Sequence, residues 1–481
     1  MNYEIVIGLE VHCQLSTQSK IFASDTNKFG SEPNTNMSVI TLAHPGVLPK
    51  LNKEAVQFAI KMGLACQSSI SPYTYFDRKN YFYPDLPKGY QTSQDKFPIC
   101  IGGEIPVRWK EGRNLIEKNV KIHHIHLEED AGKSIHDLSD TFTYLDYNRA
   151  GTPLIEMVTD PCLHSAEEAG AFLTEVRKLV RFLEICDGNM EEGSMRADLN
   201  ISLRPKGVST FGTKVEIKNM NSIRNLQRAV EYEAKRQAEI LDAGGVIIQE
   251  TRSFDADSGK TNGMRVKETM NDYRYFPEPD LAPIHITEED LAFIKSQMPA
   301  LPSQLYIRFK EEYQLLEDHA LILTEEKPMA DYFLELLQHT SNFKAASNWL
   351  TSTVKGWLNE HGQTFAQFEL APSRLADLIE LVETQKVSNS AASQKLFPLL
   401  IENPTETALS LAERYNLLQQ SDNQLLQIWI DEVLAANTAK VAEFKKGKKG
   451  LLGLFVGEVM KKSKGSADPK VVNELILKSL G

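Results

Sequence analysis

Two textures divide the chain. Through about residue 290, short apolar runs with period-two alternation are broken by proline- and glycine-rich turns, and beyond it apolar residues recur at helical spacing. Tyr3 to His12 reads as a buried strand with polar groups near its end, and the period of two puts Glu10 and His12 on one face. Leu154 to Val158 predicts a second strand carrying one carboxylate, Glu156, among apolar neighbours. Met190 to Ile201 predicts a turn and a strand with alternating polar groups, and Lys214, Glu216 and Lys218 share one face of a further strand. Helices interrupt these strands. Asn52 caps one that carries Ala55, Phe58, Ala59 and Met62 on one side; Ser165 caps another, with Glu168 placed for a capping box and an apolar stripe from Ala169 to Leu183. From about Glu288 to Glu402 the long amphipathic patterns contain no cluster of polar residues in an apolar setting, so no chemistry is expected there. From about Asn403 the chain is helical again, and Asp468-Pro469 predicts the cap and first turn of a last helix. The class predicted is α+β, followed by all-α segments.

Composition narrows the partners. A length of 481 residues suggests about three domains, and 42% hydrophobic with 25% charged residues is ordinary for a globular protein. A net charge of -12 argues against a general nucleic-acid coat but permits a local basic patch. Two lysine clusters near the end supply one candidate: Lys445, Lys446, Lys448 and Lys449, then Lys461, Lys462 and Lys464. They suit a phosphate backbone, and they equally suit a solvated tail face. The five cysteines (Cys13, Cys66, Cys100, Cys162, Cys186) never take C-x-x-C spacing, which predicts a reducing compartment and no cysteine zinc site. No basic and apolar leader precedes the first strand pattern, and the longest apolar run, Leu451 to Val456, is far short of the roughly 20 residues of a membrane span. A cytoplasmic protein with no membrane partner is expected.

Candidate chemistry gathers at His126-Leu127-Glu128-Glu129-Asp130-Ala131-Gly132-Lys133-Ser134, which sets an imidazole and three carboxylates beside a glycine, a lysine and a hydroxyl. These residue types can hold a divalent cation and phosphate oxygens, although an acidic run before a turn is commonly a solvated face. A P-loop is excluded, because the position that needs its first glycine is Leu127. Glu10 and His12 either bond one another or belong to a metal or phosphate site. Phe76 to Tyr90 is a proline-stiffened loop that could present Lys79, Tyr81 and Tyr83 to a pocket or bury its aromatics as a small core. No G-x-S-x-G elbow, dinucleotide glycine signature, H-E-x-x-H or glycine- and serine-rich amidase signature is present, so nitrogen released from an amide must come from another chain.

Several blocks together resemble the B-subunit family of the bacterial tRNA-dependent amidotransferases: Glu10-Val11-His12, Phe76 to Tyr83, His126 to Ser134, Asn148 to Glu156, Met190 to Asp198, Lys214 to Ser222 and Asp272 to Asp280. The blocks run in order from end to end, which makes the resemblance far more specific than any single motif. It implies a heterotrimer with an amidase A subunit and a small C subunit, and an internal channel that carries ammonia from the amidase. It implies an ATP- and Mg2+-dependent ligase that phosphorylates the side-chain carboxylate of Glu-tRNA(Gln) or Asp-tRNA(Asn) and then forms the amide, with glutamine as amido donor. It further implies a cradle-shaped mixed-sheet catalytic domain over 1–292, a helical linker domain over 293–405 and a helical tail contacting tRNA over 406–481.

By similarity to the family's metal site, His12, Glu129 and Glu156 are expected to form one cluster, with Glu10 and Glu216 nearby. The resemblance places Lys79, Tyr81 and Tyr83 where the ammonia channel meets the pocket, Arg149 and Lys218 at phosphate, and the tail lysines at tRNA. Some family members bind zinc through paired cysteines that this chain lacks, so none is expected here. The rival reading is a tRNA-recruiting scaffold without catalysis. Carboxylates dispersed by more than about 10 Å, one Debye length, would favour it.

Overall fold

The computed structural model describes residues 2–266, 272–419, 423–463, 467 and 469–480. The predicted cap Asp468 and the candidate Lys464 lie outside the described residues. Contacts divide the chain into two compact units, Met1–Ser303 and Gln304–Gly481.

Strand β1 (Tyr3–Gln14) organises the first unit, because its alternation is nearly strict. Ile7, Leu9, Val11 and Cys13 are buried in the core, while Gly8, Glu10, His12 and Gln14 turn to the opposite face. The same division repeats in β2 (Asn114–Glu129), β3 (Pro153–Thr159), β4 (Met195–Pro205) and β5 (Val215–Met220). Ile125 and Leu127, Ile155 and Met157, Ala197 and Leu199, and Ile217 all join the core cluster that contains Leu9 and Val11. With β6 (Glu250–Asp255) and β7 (Lys260–Val266), the sheet order is β7-β6-β5-β4-β1-β3-β2, extended by the short strands Cys100–Ile101 and Ser69–Ile70. The strand Glu104–Glu111 pairs with the first half of β2. Only the β5–β6 pairing is parallel among those described, as a helical crossover requires, and the sheet is mixed.

Helices α1 (Lys53–Ala65), α2 (Ala166–Phe182) and α3 (Ile223–Asp242) contribute to the buried core. Phe172, Leu173 and Val176 of α2 and Leu226, Ala229 and Val230 of α3 join the inward residues of β1 and β4 there. Burying such side chains contributes roughly 1.5–3 kcal/mol each, enough to fix which face of the sheet is covered. Asn52 accepts from the Glu54 N–H and caps α1 as predicted. Ser165 accepts from Glu168 N–H, but the Glu168 carboxylate takes the His164 N–H at 2.8 Å and Lys118 at 2.8 Å, so the expected capping box is only half formed.

In the second unit, Asn423–Ala436, Leu452–Lys462 and Pro469–Leu480 are helices whose Leu426, Ile430, Phe455, Val459, Val472 and Ile476 make one core cluster. Pro469 stands at the first helical position, where its missing N–H costs nothing. No helix among the described residues is long and apolar enough to cross a membrane.

Candidate active site

The uncovered face of the sheet becomes a polar wall. Register sets His12 opposite Glu156 on one side and Arg196 on the other, Glu10 opposite Asp198, Asn200 opposite Glu216, and His126 opposite Glu156. A cavity of about 610 Å³ opens over this wall, lined among others by His12, Glu128, Glu156, Arg196, Asp198 and Lys218.

Two groups of ligand atoms lie on this face of the sheet, each with all members within 4.8 Å of one another: His12, Glu128 and Glu156, which all line the cavity, and Glu10, Asp198 and Glu216, of which Asp198 lines it. In the first, His12 Nε2 is 3.1 Å from Glu156 Oε2 and 3.8 Å from Glu128 Oε1. His126 Nε2 stands behind it, 3.4 Å from Glu128 Oε2 and 3.5 Å from Glu156 Oε2. Burial opposes a charge on His12, but Glu156 and Glu128 outweigh it and raise its pKa to about 9. Burial likewise opposes the Glu156 anion, yet His12 and His126 hold that carboxyl well below its usual range. The imidazolium thus supplies positive charge that a cation would otherwise bring.

In the second group, Lys218 bridges Asp198 at 2.8 Å and Glu216 at 3.0 Å, Asn200 donates to Glu10 at 2.9 Å, and Thr251 donates to Glu216 at 2.9 Å. Burial and the neighbouring Glu156 charge raise the Glu10 pKa. Three carboxylates with a hard-oxygen character fit Mg2+; the first group, with its imidazole, also fits a softer ion such as Mn2+.

The expected cluster of His12, Glu129 and Glu156 is corrected at one member. Strand alternation puts Glu128 on the open face with His126 and sends Glu129 to the other side. There Glu129 pairs with Lys88 and accepts the Thr92 N–H at 2.8 Å, away from the cavity wall. Glu10 and His12 do share a face as expected, but neither bonds the other; their partners, Asn200 and Glu156, come from flanking strands. Arg149 does not line this cavity. Its guanidinium donates to the carbonyls of Ala131 at 3.0 Å and Gly132 at 2.7 Å, which commits two of its donors to the backbone. Lys79 and Tyr81 line the cavity, whereas Tyr83 does not and is 60% exposed. Among the tail lysines, Lys448 pairs with Glu443 at 3.0 Å and Lys462 pairs with Glu432, while Lys445, Lys446, Lys449 and Lys461 are exposed.

Sequence reasoning missed Asp198 and Arg196 as wall residues, and chose Glu129 over Glu128. The signal was present in the alternation His126-x-Glu128 and Arg196-x-Asp198. Arg196 donates to Asp130 at 3.0 Å and Gln14 donates to the same oxygen at 2.8 Å, so the buried Asp130 anchors the wall instead of joining a cluster.

A family profile described as the GatB/GatE catalytic domain matches residues 5–292. The chain belongs to this family. A second profile, described as the GatB domain, matches residues 331–480. The chain is 47% identical, over 100% of both chains, to the B subunit of the aspartyl/glutamyl-tRNA(Asn/Gln) amidotransferase of Chlorobium chlorochromatii. It is 46% identical to the protein of the same name from Thermosynechococcus vestitus, over 100% of this chain and 97% of the relative, and 46% identical to that of Nostoc punctiforme, over 99% and 98%. Both ligand groups fall inside the segment matched by the GatB/GatE profile, and the tail lysines fall inside the GatB domain match.

Proposed function

We propose that this chain is the subunit of a tRNA-dependent amidotransferase that uses ATP to activate the side-chain carboxylate of Glu-tRNA(Gln) or Asp-tRNA(Asn). The carboxylate oxygen attacks the γ-phosphorus, the bond to the bridging oxygen breaks, and ADP leaves. Ammonia then attacks the acyl carbon of the acyl phosphate, losing a proton, and inorganic phosphate departs to leave the amide. An anion attacking a polyanion needs its repulsion screened. The observation that carries this reading is the pair of three-ligand groups on one face of the sheet, each spanning 4.8 Å or less, well inside the roughly 10 Å Debye length, with His12, Glu128, Glu156 and Asp198 lining the cavity.

Glu10, Asp198 and Glu216 would hold one divalent cation, Mg2+ by their chemistry, and Glu128 and Glu156 would hold another together with His12, whose imidazolium would give up its proton as the ion takes over the role of its charge. Bound cations supply charge screening for phosphate oxygens. Lys218, already between Asp198 and Glu216, orients those carboxylates, and Arg196 fixes Asp130 beneath the wall. Lys79 and Tyr81 stand at the cavity where ammonia from a partner amidase would enter. The assembly is a heterotrimer in the cytoplasm, with an amidase subunit and a small third subunit, and the lysine-rich tail meets the tRNA. A non-catalytic scaffold has no use for two ligand groups on one wall.

The test uses the assembled complex with ATP, Mg2+, mischarged Glu-tRNA and free ammonium, which bypasses the amidase. Glu128→Gln and Glu216→Gln should each lower phosphate release and Gln-tRNA formation by about 100-fold or more while tRNA binding persists. Glu129→Gln should lose much less. Wild-type rates in the first two variants would move the chemistry out of this cavity and restore the scaffold reading.

A further inference from the structure

A second cavity, of about 510 Å³, adjoins the first and shares Glu191 and Glu192 with it. Resting on the activity proposed above, we infer that it seats the 3′-terminal adenosine of the aminoacylated tRNA. The two substrates must meet with the esterified carboxylate at the γ-phosphate, so their seats must adjoin. The first cavity, lined by His12, Glu128 and Glu156 and by Asp198 of the other group, suits the triphosphate; none of the six ligand residues lines the second.

What the second cavity offers is an aromatic ring and free cations. Phe29 lines it and is 66% exposed. This exposure is not that of a loose tip. Asn27 donates to the Leu15 carbonyl at 2.9 Å and accepts from Thr152 at 2.9 Å. Asn36 donates to the Lys28 carbonyl at 3.1 Å and to the Ser31 hydroxyl at 2.9 Å, and Asn148 donates to the Glu32 carbonyl at 2.7 Å. The chain turns at Gly30 with φ of +76°, a conformation glycine takes without strain. Backbone pinned on both sides of the ring holds an apolar face toward the cavity, the arrangement on which a base stacks.

Lys28 and Lys133 also line the cavity and make no ion pair among the described residues. Of the nearby acids, Asp146 accepts the N–H groups of Asn34 at 3.0 Å and Asn148 at 2.9 Å, and Asp187 accepts the Asn189 N–H at 2.8 Å and the Ser194 hydroxyl at 3.2 Å. The two lysines therefore remain available for the phosphate of the terminal nucleotide. Glu191 and Glu192 line both cavities and can accept from ribose hydroxyl groups.

The test measures KM for Glu-tRNA and for ATP in the assembled enzyme with ammonium, for wild type, Phe29→Ala, Phe29→Tyr and the double variant Lys28→Ala/Lys133→Ala. Phe29→Ala should raise KM for Glu-tRNA about 5- to 150-fold and leave KM for ATP unchanged, with Phe29→Tyr near wild type. The double variant should flatten the salt dependence of tRNA binding. Uncharged tRNA lacking its terminal adenosine should bind wild type and Phe29→Ala equally, whereas intact tRNA should distinguish them. A rise in KM for ATP instead would assign the cavity to ATP and overturn the inference, as would unchanged KM values in every variant. Wild type with no ATP- and Glu-tRNA-dependent phosphate release would overturn the activity itself, a separable outcome.

Discussion

Lys20 takes its ammonium into the interior at 1% exposure, with a carbonyl contact to Tyr147 at 3.5 Å. Burial brings its pKa down from 10.5 to about 8, against the pull of Asp25, Asp146 and Glu129. The folded value lies below the unfolded one, so the charged form costs stability; that cost is complete below about pH 8 and is relieved as the pH rises toward 10.5. Lys20→Met should therefore raise Tm at pH 7, with the gain shrinking by pH 10, as followed by thermal denaturation at both values. A lower Tm at pH 7 would show that the ammonium supports the fold. Single residues were also where sequence reading lost accuracy. Glu128 and Glu129 are chemically identical, and only their place in the strand alternation separates a wall ligand from a partner of Lys88. The class of chemistry was legible in residue types, whereas the assignment to one of two neighbours needed the end of β2 to be located.

At the scale of elements, β1 was legible because a period of two is robust, and so was the shared face of Glu10 and His12. Their partners were not legible, since Asn200 and Glu156 lie 190 and 144 positions away and only strand register brings them across. The segment at residues 276–280 illustrates the same limit. Arg78 in the strand Asp77–Asn80 forms a two-armed pair with Glu278, at 2.8 and 2.7 Å, and reaches Asp280 at 3.2 Å. Burial opposes the Glu278 anion, but its bonds to Arg78 prevail and hold the carboxyl below its usual value. A depressed folded pKa stabilises above the unfolded value, about 4.3, and that contribution is lost as pH falls through the folded value. Glu278→Gln should destabilise by about 1–3 kcal/mol at neutral pH, because it removes the charge from the main partner of the half-buried Arg78, which keeps Asp280. It should also make the decline in stability below about pH 4 shallower. Parallel acid limbs for variant and wild type, in denaturant titrations from pH 3 to 7, would remove Glu278 from the acid response.

For the whole molecule, the net charge of -12 sets the terms on which it can hold a polyanion. Long-range attraction cannot drive the encounter, so binding must come from local contacts whose strength falls with salt. Ion pairing divides the tail lysines unequally. All five are exposed, but Lys448 and Lys462 each have a surface carboxylate partner, Glu443 and Glu432, whereas Lys445, Lys446 and Lys449, near the turn around Gly447, make no ion pair among the described residues. If these three each meet one phosphate, their replacement by alanine removes about three counterion-release events. The slope of log Kd against log salt should then fall by roughly 2–3, with binding weakened most at low salt. Lys448→Ala alone should change the slope less, since its charge is already met by Glu443. The measurement is tRNA binding to the assembled complex over a salt series. Because the cavity wall lies in a separate compact unit, phosphate release at saturating tRNA should stay at the wild-type rate in the triple variant. An unchanged slope would take the tail out of tRNA binding. A slope that falls together with the saturated rate would mean that these lysines serve the chemical step as well as capture.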